Sequence, residues 1–364
     1  MRFILLFTFI FSTKAYGILP FEDAVSPELV TSARALAMGN SYMSKVDDGW
    51  SAFYNPAGLG TVRGLQMHLT NIHLETNNGW LNVTSDGAFT DAVTRYTESF
   101  KPAELRNMHA VNPGNISHAR LQLFPNITFR GITLGYMYVQ QNRARLRSLT
   151  DNFEIAERID SGPVMSLSLS LFGGIVKLGA TGVILSRKEL QKDFLPADTV
   201  IVTPATDYKK GSMTHIVAGA RITLPFFMLP TFSLVSRNSA DSAFHTPEYS
   251  GVPEAIPQTT DASFSLTPML GRTFRMHLEV GKKDIGDKYL SVPSERKIMG
   301  GIEFDYMRKM FVRFGYGDGW GSGGIGVRSK SFAFDLSSYA IEASDIGVRQ
   351  EEDRRHILSI SGGF

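Results

Sequence analysis

The feature that most constrains this chain is a two-residue alternation of apolar and polar side chains, which dominates from about residue 118 onward. In 163–172 leucine and methionine alternate with serine, and in 271–281 apolar residues alternate with threonine, arginine, histidine and glutamate. Successive side chains of a β-strand point to opposite faces, so this pattern predicts strands with one apolar and one polar face. The polar faces carry bulky charges such as Lys177, Arg221 and Glu303, interspersed with glycine, which favours a wet lumen.

Fourteen segments of this kind can be counted, many close to the length of a tilted membrane-crossing strand. They are 64–75, 118–129, 131–141, 163–172, 174–187, 211–224, 230–237, 260–268, 271–281, 297–305, 309–317, 321–328, 331–342 and 354–364. An even number is expected of a bacterial single-chain barrel, and it places both termini on the periplasmic side. The predicted fold is therefore all-β, a transmembrane antiparallel β-barrel of about 14 strands that occupies residues 63–364.

The connections between these segments differ in length. Long polar connections are predicted at 76–117, 142–162, 188–210, 238–259 and 343–353, and short turns join the remaining strands. Long loops on one rim and short turns on the other are typical of outer-membrane barrels. Within the first long loop, apolar residues at helical spacing predict a helix over 87–107.

A secreted β-sandwich is the main alternative, because it also alternates apolar and polar residues. The charged polar faces argue against it, and so does the end of the chain. Phe364 closes an alternating strand, with Leu358 and Ile360 at the same parity. A terminal aromatic residue of this kind resembles the assembly signal of outer-membrane barrels. We therefore expect the barrel assembly machinery and outer-membrane lipid as partners.

Residues 1–17 have the pattern of a secretory signal peptide. Arg2 provides the positive charge, an apolar run extends to Phe11, and Ala15-Tyr16-Gly17 supplies small residues for cleavage near Gly17. A membrane-anchored N-terminus is the alternative, but the run is too short to span a bilayer. The pattern predicts export to the bacterial outer membrane as an integral protein.

Removal of residues 1–17 takes away Arg2 and Lys14, so the formal charge falls from +2 to zero. A neutral chain has no electrostatic footprint for nucleic acid, which is not expected as a partner. The sequence contains no cysteine, which excludes disulfides and thiolate metal sites.

Residues 18–62 break the two-residue alternation and are rich in small side chains. Pro56 fixes its own φ and pushes Asn55 to an extended conformation, and Gly58 and Gly60 are expected to permit a tight turn. A compact, kinked segment just before the first strand is positioned to fold into the barrel as a hatch that ends in Asn55-Pro56-Ala57. The alternative is an ordinary surface loop.

At this point the sequence resembles a known family. The pattern ARALAMGN, followed by DDGWSAFYNPAGLG, resembles the N-terminal hatch of the FadL-type outer-membrane transporters and their relatives, which include the PorV-like proteins of secretion systems. The match covers about thirty residues. Elsewhere the resemblance is one of architecture, with a weaker similarity to the closing strands of the PorV-like branch at 284–304.

The resemblance implies a fourteen-stranded barrel whose hatch fills the lumen, with Asn55, Pro56 and Ala57 at the plug. It also implies that hydrophobic ligands bind near the outer surface and leave through a lateral opening in the wall. The leading hypothesis is passive uptake of small hydrophobic compounds or long-chain fatty acids. Apolar loop residues predicted to line the ligand access site are Phe89, Tyr96, Phe100, Leu195 and Phe244.

Two other functions remain open at the level of sequence. A PorV-like barrel would bind or shuttle secreted protein cargo at the cell surface, and loops 188–210 and 238–259 would form its contact surface. A structural barrel without substrate is the third hypothesis.

Enzymatic chemistry finds little support in the motifs. The eight histidines form no HExxH or HxH spacing, so no metal is expected. Residues 319–324 match GxGxxG, but a strand follows instead of a helix, so a hairpin turn is predicted and no cofactor is expected. His277 and Glu279 are the first pair to examine for catalysis, although a lumen ion network is the favoured interpretation. The chain is predicted not to be an enzyme.

Overall fold

The computed structural model describes residues 21, 25–62, 64–84, 89–344 and 347–363. The signal peptide predicted at 1–17 and the terminal Phe364 lie outside the described residues, so both remain predictions, as do the domain boundaries. In the part of the chain that is described, no helix is long and apolar enough to cross a membrane.

A closed antiparallel sheet forms the body of the protein, as predicted. Its strands are β1 (Leu65–Asn77), β2 (Ile116–Leu123), β3 (Asn126–Phe129), β4 (Ile132–Leu146), β5 (Phe153–Leu171), β6 (Val176–Phe194), β7 (Tyr208–Thr223), β8 (Thr231–Arg237), β9 (His245–Tyr249), β10 (Thr259–Leu266), β11 (Met269–Leu270), β12 (Phe274–Lys282), β13 (Ile298–Tyr306), β14 (Met310–Gly317), β15 (Trp320–Arg328), β16 (Phe332–Glu342) and β17 (Glu352–Gly363). β1 pairs with β17, which closes the barrel.

The seventeen strands fill fourteen positions around the barrel, because three positions are each occupied by two consecutive segments. β2 and β3 lie between β1 and β4, and β10 and β11 both lie beside β12. β8 and β9 both pair with β7. The predicted count of about 14 strands is confirmed.

The helices are short and lie outside the wall positions. They are α1 (Ala33–Ala37), α2 (Ser51–Tyr54), α3 (Asn78–Val83), α4 (Phe89–Glu98), α5 (Pro102–Val111) and α6 (Pro204–Asp207), with 3-10 turns at Pro56–Thr61, Phe172–Gly174 and Ser294–Lys297. The single helix predicted over 87–107 is wrong in extent. Ser99 to Lys101 separate α4 from α5, and Pro102 starts α5, where a missing N–H costs nothing.

The two faces of the wall differ as the alternation predicts. Leu134, Phe314 and Ile325 are exposed on the outer face, whereas Arg221 and Glu303 are buried on the inner face. In bulk water an outer face of this kind would be unfavourable, but in lipid it is the stable arrangement. The polar groups of the strand backbones are paired across the closed sheet, which a membrane interior requires.

Two of the predicted long loops are wrong in extent. Most of 142–162 belongs to β4 and β5, which pair from Leu146↔Phe153. In 188–210, β6 and β7 pair up to Leu190↔Tyr208, and the connection is confined to 195–207. Cross-strand ion pairs support these extensions, for example Arg187 with Asp160 at 2.7 Å. Their polar composition reflects an interstrand ion network and does not indicate loops.

The glycine-rich motif at 319–324 is a hairpin, as predicted. Asp318 and Gly319 have φ of 48° and 83° and form the two-residue connection between β14 and β15. Two successive positive φ angles are those of a turn whose twist matches the flanking strands. No helix follows Gly319 in the described chain, so the motif cannot place a helix N-terminus against a phosphate.

Replacement of a residue in the middle of the outer face tests the membrane-spanning arrangement. Ile325→Arg places a charge on β15 between Val312 and Leu336, which both face outward. We expect a loss of about 2–4 kcal/mol in the free energy of unfolding in lipid vesicles. The same change at Leu195, in the exposed β6–β7 connection, should have little effect, and equal losses from the two variants would contradict this orientation.

Candidate functional site

Residues 25–62, called here the luminal segment, lie inside the barrel. Almost every residue of this segment is buried although it contains many polar side chains. Wall serines bind its carbonyl groups: Ser337 donates to Ala33 at 2.9 Å, and Ser322 donates to Ala37 at 3.1 Å. The inward polar face of the barrel therefore serves as a hydrogen-bonding surface for a segment with little regular structure of its own.

One buried ion network joins the luminal segment to β13 and β14. The guanidinium of Arg34 donates two hydrogen bonds to Glu303, both of 2.6 Å. Arg313 donates to the same carboxylate at 2.8 Å and to Asp335 at 2.5 Å. Asp47 accepts from Arg34 at 3.1 Å. Removal of one partner would leave a buried charge unpaired, which is strongly unfavourable, so this network fixes the position of α1.

A second network holds the start of the luminal segment. Glu28 accepts from Arg237 at 2.8 Å and from Lys283, while Arg237 also donates to Asp261 at 2.8 Å. Burial alone would raise the pKa of Glu28, but the charges of Lys283 and Arg237 outweigh it and lower that pKa. Glu28 is therefore held ionised beneath the outer mouth.

The Asn55-Pro56-Ala57 motif faces the wall at β6 and β7. Asn55 is extended (φ −163°, ψ 104°), as predicted, and its side-chain oxygen accepts from the Ala57 N–H at 3.1 Å. The same side chain donates to the Met43 carbonyl at 3.1 Å. Asn55 thus ties the 3-10 turn to an earlier part of the luminal segment. The proposed role of the motif as a gate remains a prediction.

A pair of wall glycines makes room for this motif. Gly179 of β6 pairs with Gly219 of β7. A Cβ on Gly179 would lie 2.3 Å from the Pro56 carbonyl carbon, and one on Gly219 would lie 2.2 Å from the Asn55 side-chain oxygen. Sequence reasoning missed this pair, although two inward-facing glycines on neighbouring strands were a detectable signal of close backbone approach.

Gly58 and Gly60 serve a different purpose from the one predicted. Neither has a positive φ, whereas Gly39 does (φ 64°). A Cβ on Gly58 would lie 2.6 Å from the Val46 carbonyl oxygen, and one on Gly60 would lie 2.6 Å from the Ser170 hydroxyl. Close packing, and not a tight turn of left-handed backbone, therefore explains both glycines.

The wall is irregular in β1. His68 pairs with Asn126 whereas Ile72 pairs with Leu123, so β1 contains one residue more than the opposing strand over this interval. The register of β1 against β17 shifts between His68 and Thr70. Leu69 and Thr70 are both exposed on the outer face. β1 therefore carries a β-bulge, a feature that is common beside functional sites.

The strand opposite this bulge is broken. β2 ends at Leu123 and β3 begins at Asn126, so Phe124 and Pro125 interrupt the ladder. Pro125 has no N–H to donate, and the Phe124 N–H reaches the Asn71 carbonyl only at 3.4 Å. We call the bulge at His68–Thr70 together with Phe124–Pro125 the wall defect.

Aromatic side chains of the luminal segment lie against the wall defect. The Phe124 ring is buried, with its centroid 5.0 Å from that of Phe53 and 5.9 Å from that of Trp50. These rings belong to an apolar cluster that also contains Met137 and Val139 of β4. The wall defect is thus closed from inside by packed apolar side chains, and the strand ladder contributes only the long Phe124–Asn71 hydrogen bond toward β1.

A cavity of about 280 Å³ lies beside the wall defect at the barrel end that carries the short turns. Asp48 and Trp50 line it from the luminal segment, and His68, Asn71 and Asn126 line it from the wall. Burial and the neighbouring Asp47 carboxylate raise the pKa of Asp48. The cavity combines apolar surface, including Trp50 and Phe332, with polar side chains.

A second apolar cluster lies where β4–β7 extend beyond the outer mouth. Its buried members are Leu105, Ala144, Leu146, Phe153, Ile155, Leu190, Phe194 and Tyr208. Leu105 belongs to α5, which covers the inner side of the extended strands. An ion pair of Arg187 with Asp160 joins β6 and β5 near this cluster, and both residues line a pocket with other arginines.

The residues predicted to form the ligand access site are dispersed. Phe89 begins α4, and the Tyr96 and Phe100 rings pack together, 5.5 Å apart. Leu195 is exposed in the β6–β7 connection. Phe244 is nearly buried and joins the apolar cluster of the luminal segment. Tyr96 and Phe100 are in ring contact, whereas Leu195 and Phe244 lie in other parts of the fold, so a shared ligand site remains a prediction.

His277 and Glu279 both face the lumen, as predicted, and their side chains lie 3.1 Å apart. Glu279 accepts the Ser44 N–H at 2.9 Å, and His277 interacts with the Thr267 hydroxyl at 2.9 Å. Both side chains are therefore engaged in binding the luminal segment and the wall. This is the lumen network that the sequence favoured.

Comparison with known proteins gives matches among solved structures alone: no family model and no curated protein matches this chain. The chain is similar to a Pseudomonas aeruginosa FadL homologue, with 10% identity, a TM-score of 0.45, and coverage of 92% of this chain and 98% of that one. It is similar to the Pseudomonas putida toluene transporter TodX, with 11% identity, a TM-score of 0.45, and coverage of 96% and 98%. A TodX mutant described as a monoaromatic hydrocarbon channel gives 11% identity, a TM-score of 0.49, and coverage of 92% and 97%.

The glycine pair gives a direct test of how the luminal segment docks. Gly179→Val would drive side-chain atoms into the Pro56–Ala57 backbone, so the segment should be displaced. We expect a larger ionic conductance in planar bilayers. Gly182→Val on the same strand is the control, because its Cβ would meet nothing within 4 Å. Equal conductance of the two variants would argue against close docking at β6.

Proposed function

We propose that this protein is an outer-membrane channel through which small hydrophobic compounds pass, with the luminal segment as its hatch and the wall defect as its exit. The observation that carries the proposal is the position of the wall defect. It interrupts a lipid-facing wall at the place where Phe53, Trp50 and Phe124 form an apolar contact.

Two paths out of the barrel can be compared, one along the barrel axis and one sideways through the wall. The path along the barrel axis is filled by the luminal segment, whose buried ions and hydrogen bonds would have to be broken. An unpaired buried charge is too costly for an apolar solute to compensate. A sideways path requires displacement of aromatic rings at a position where the strand ladder is already incomplete. Apolar molecules are therefore expected to leave laterally, into the membrane.

The apolar cluster around Phe153 and Phe194 is the proposed first contact for such a solute. It lies at the outer mouth beneath α5 and offers an apolar surface within a hydrated surrounding. The similarity to barrels whose names include a toluene transporter and a monoaromatic hydrocarbon channel agrees in architecture with this proposal. No described contact specifically favours the alternative of a cargo-binding barrel.

Closure of the wall defect tests the proposal. Deletion of Thr70 removes the extra residue of β1, and Pro125→Val restores a backbone donor opposite it. Cells that produce the double variant should lose most of the protein-dependent accumulation of radiolabelled toluene and oleate, because the wall is then continuous.

The control is Leu69→Val, which retains both the bulge and Pro125. It should accumulate both probes at the level of the parent protein. Each variant must first show the heat-dependent gel mobility of a folded barrel. Unchanged accumulation by a folded Thr70-deleted, Pro125→Val barrel would exclude the wall defect as the exit.

A further inference from the structure

Two side-chain amide oxygens in the cavity beside the wall defect accept no hydrogen bond from the described residues. The Asn71 side-chain oxygen is buried and accepts no hydrogen bond, and Asn71 as a whole is 4% exposed. The Gln66 side-chain oxygen is also buried and accepts none. Both residues line the cavity. Buried polar atoms are normally paired, so their orientation toward an open space indicates a missing occupant.

The two carboxylates that line the cavity, Asp48 and Asp335, are compensated by their neighbours. Asp48 accepts the Trp50 N–H at 3.1 Å and the Tyr42 hydroxyl at 3.3 Å, and lies 3.7 Å from Arg328. Asp335 accepts from Arg313 at 2.5 Å. Lys330 also lines the cavity, from the turn between β15 and β16. The acceptors left to bind an occupant are therefore the oxygens of neutral amides, which pair with a hydroxyl or an amide donor.

The aromatic side of the cavity is formed by Trp50. Its ring lies next to Phe124 and thus next to the wall defect. The cavity volume of about 280 Å³ exceeds the roughly 150 Å³ of an engineered protein cavity that holds benzene. A single ring or short chain with one polar group fits these dimensions.

We propose that this cavity binds neutral amphipathic molecules, with a hydroxyl or amide group on Asn71 and Gln66 and an apolar part against Trp50. This inference rests on the proposed function and specifies its preferred substrate class: polar-headed compounds are held beside the exit more tightly than pure hydrocarbons. The polar head is held toward the lumen while the apolar part faces Phe124 and the wall defect.

Benzyl alcohol and toluene provide a matched pair of probes, since they differ in the hydroxymethyl group. The chain has three tryptophans. In purified barrel carrying Trp80→Phe and Trp320→Phe, Trp50 is therefore the fluorescent reporter. We expect benzyl alcohol to bind roughly five- to tenfold more tightly than toluene, the effect of about one net hydrogen bond.

Asn71→Leu and Gln66→Leu keep the side-chain size but remove the amide, so each should reduce this preference. Asn107→Leu, the same change on the exposed surface of α5, should leave it unchanged. Affinities are expressed for the free probe in water, because toluene partitions into detergent more than benzyl alcohol does. Equal affinities in the parent, a preference that survives both amide replacements, or binding of neither probe would overturn the proposal.

The outcome is separable from that of the uptake experiment, because binding to purified barrel requires no transport. Absence of the preference in the parent barrel, with uptake still dependent on the wall defect, would overturn this substrate class alone. An intact preference with uptake independent of the wall defect would overturn the exit route alone.

Discussion

A fourteen-stranded barrel encloses a lumen that its own inward side chains cannot fill, and this constraint governs the rest of the structure. The luminal segment fills that space, and it is held by groups that complement it. Glu303 binds Arg34, and Arg237 binds Glu28. The Asn55–Ala57 turn packs closely against the wall at Gly179 and Gly219, which have no side chains. The charges of the inner wall thus serve docking more than hydration.

A lumen closed in this way leaves the wall as the place where a path can open. Most of the wall is a continuous ladder, but at the wall defect the bulge of β1 lies opposite Pro125. There the ladder toward β1 is incomplete, and aromatic packing forms a large part of the barrier. Such packing can rearrange without leaving unpaired polar groups in lipid, which makes this position suited to transient opening. In the proposed mechanism, the cavity beside the wall defect binds the polar head group of a solute while the wall is open.

The barrel could be predicted from sequence because alternation maps directly onto the two faces of a strand. The number of strand positions could be predicted because polar residues such as Arg221 face inward and apolar residues such as Leu167 face outward, as the alternation requires. The luminal segment lacks a period, so its contacts could not be derived, although its small residues indicated close packing. The bulge was detectable in principle: apolar residues occupy 65, 67 and 69, then 72 and 74. That one-residue slip marks the change of face between His68 and Asn71.

The most direct measurement of the central claim is photolabelling of the barrel in native outer membranes with an aryl-diazirine hydrocarbon, with adducts mapped by mass spectrometry. A probe that stays in the lipid labels only the outer face of the barrel. Adducts on inward-facing residues therefore show where the probe has entered the protein. The account predicts adducts on Phe124 and Trp50 beside the wall defect. Adducts concentrated on the axial interface between Arg221 and the luminal segment, with Phe124 unlabelled, would contradict it.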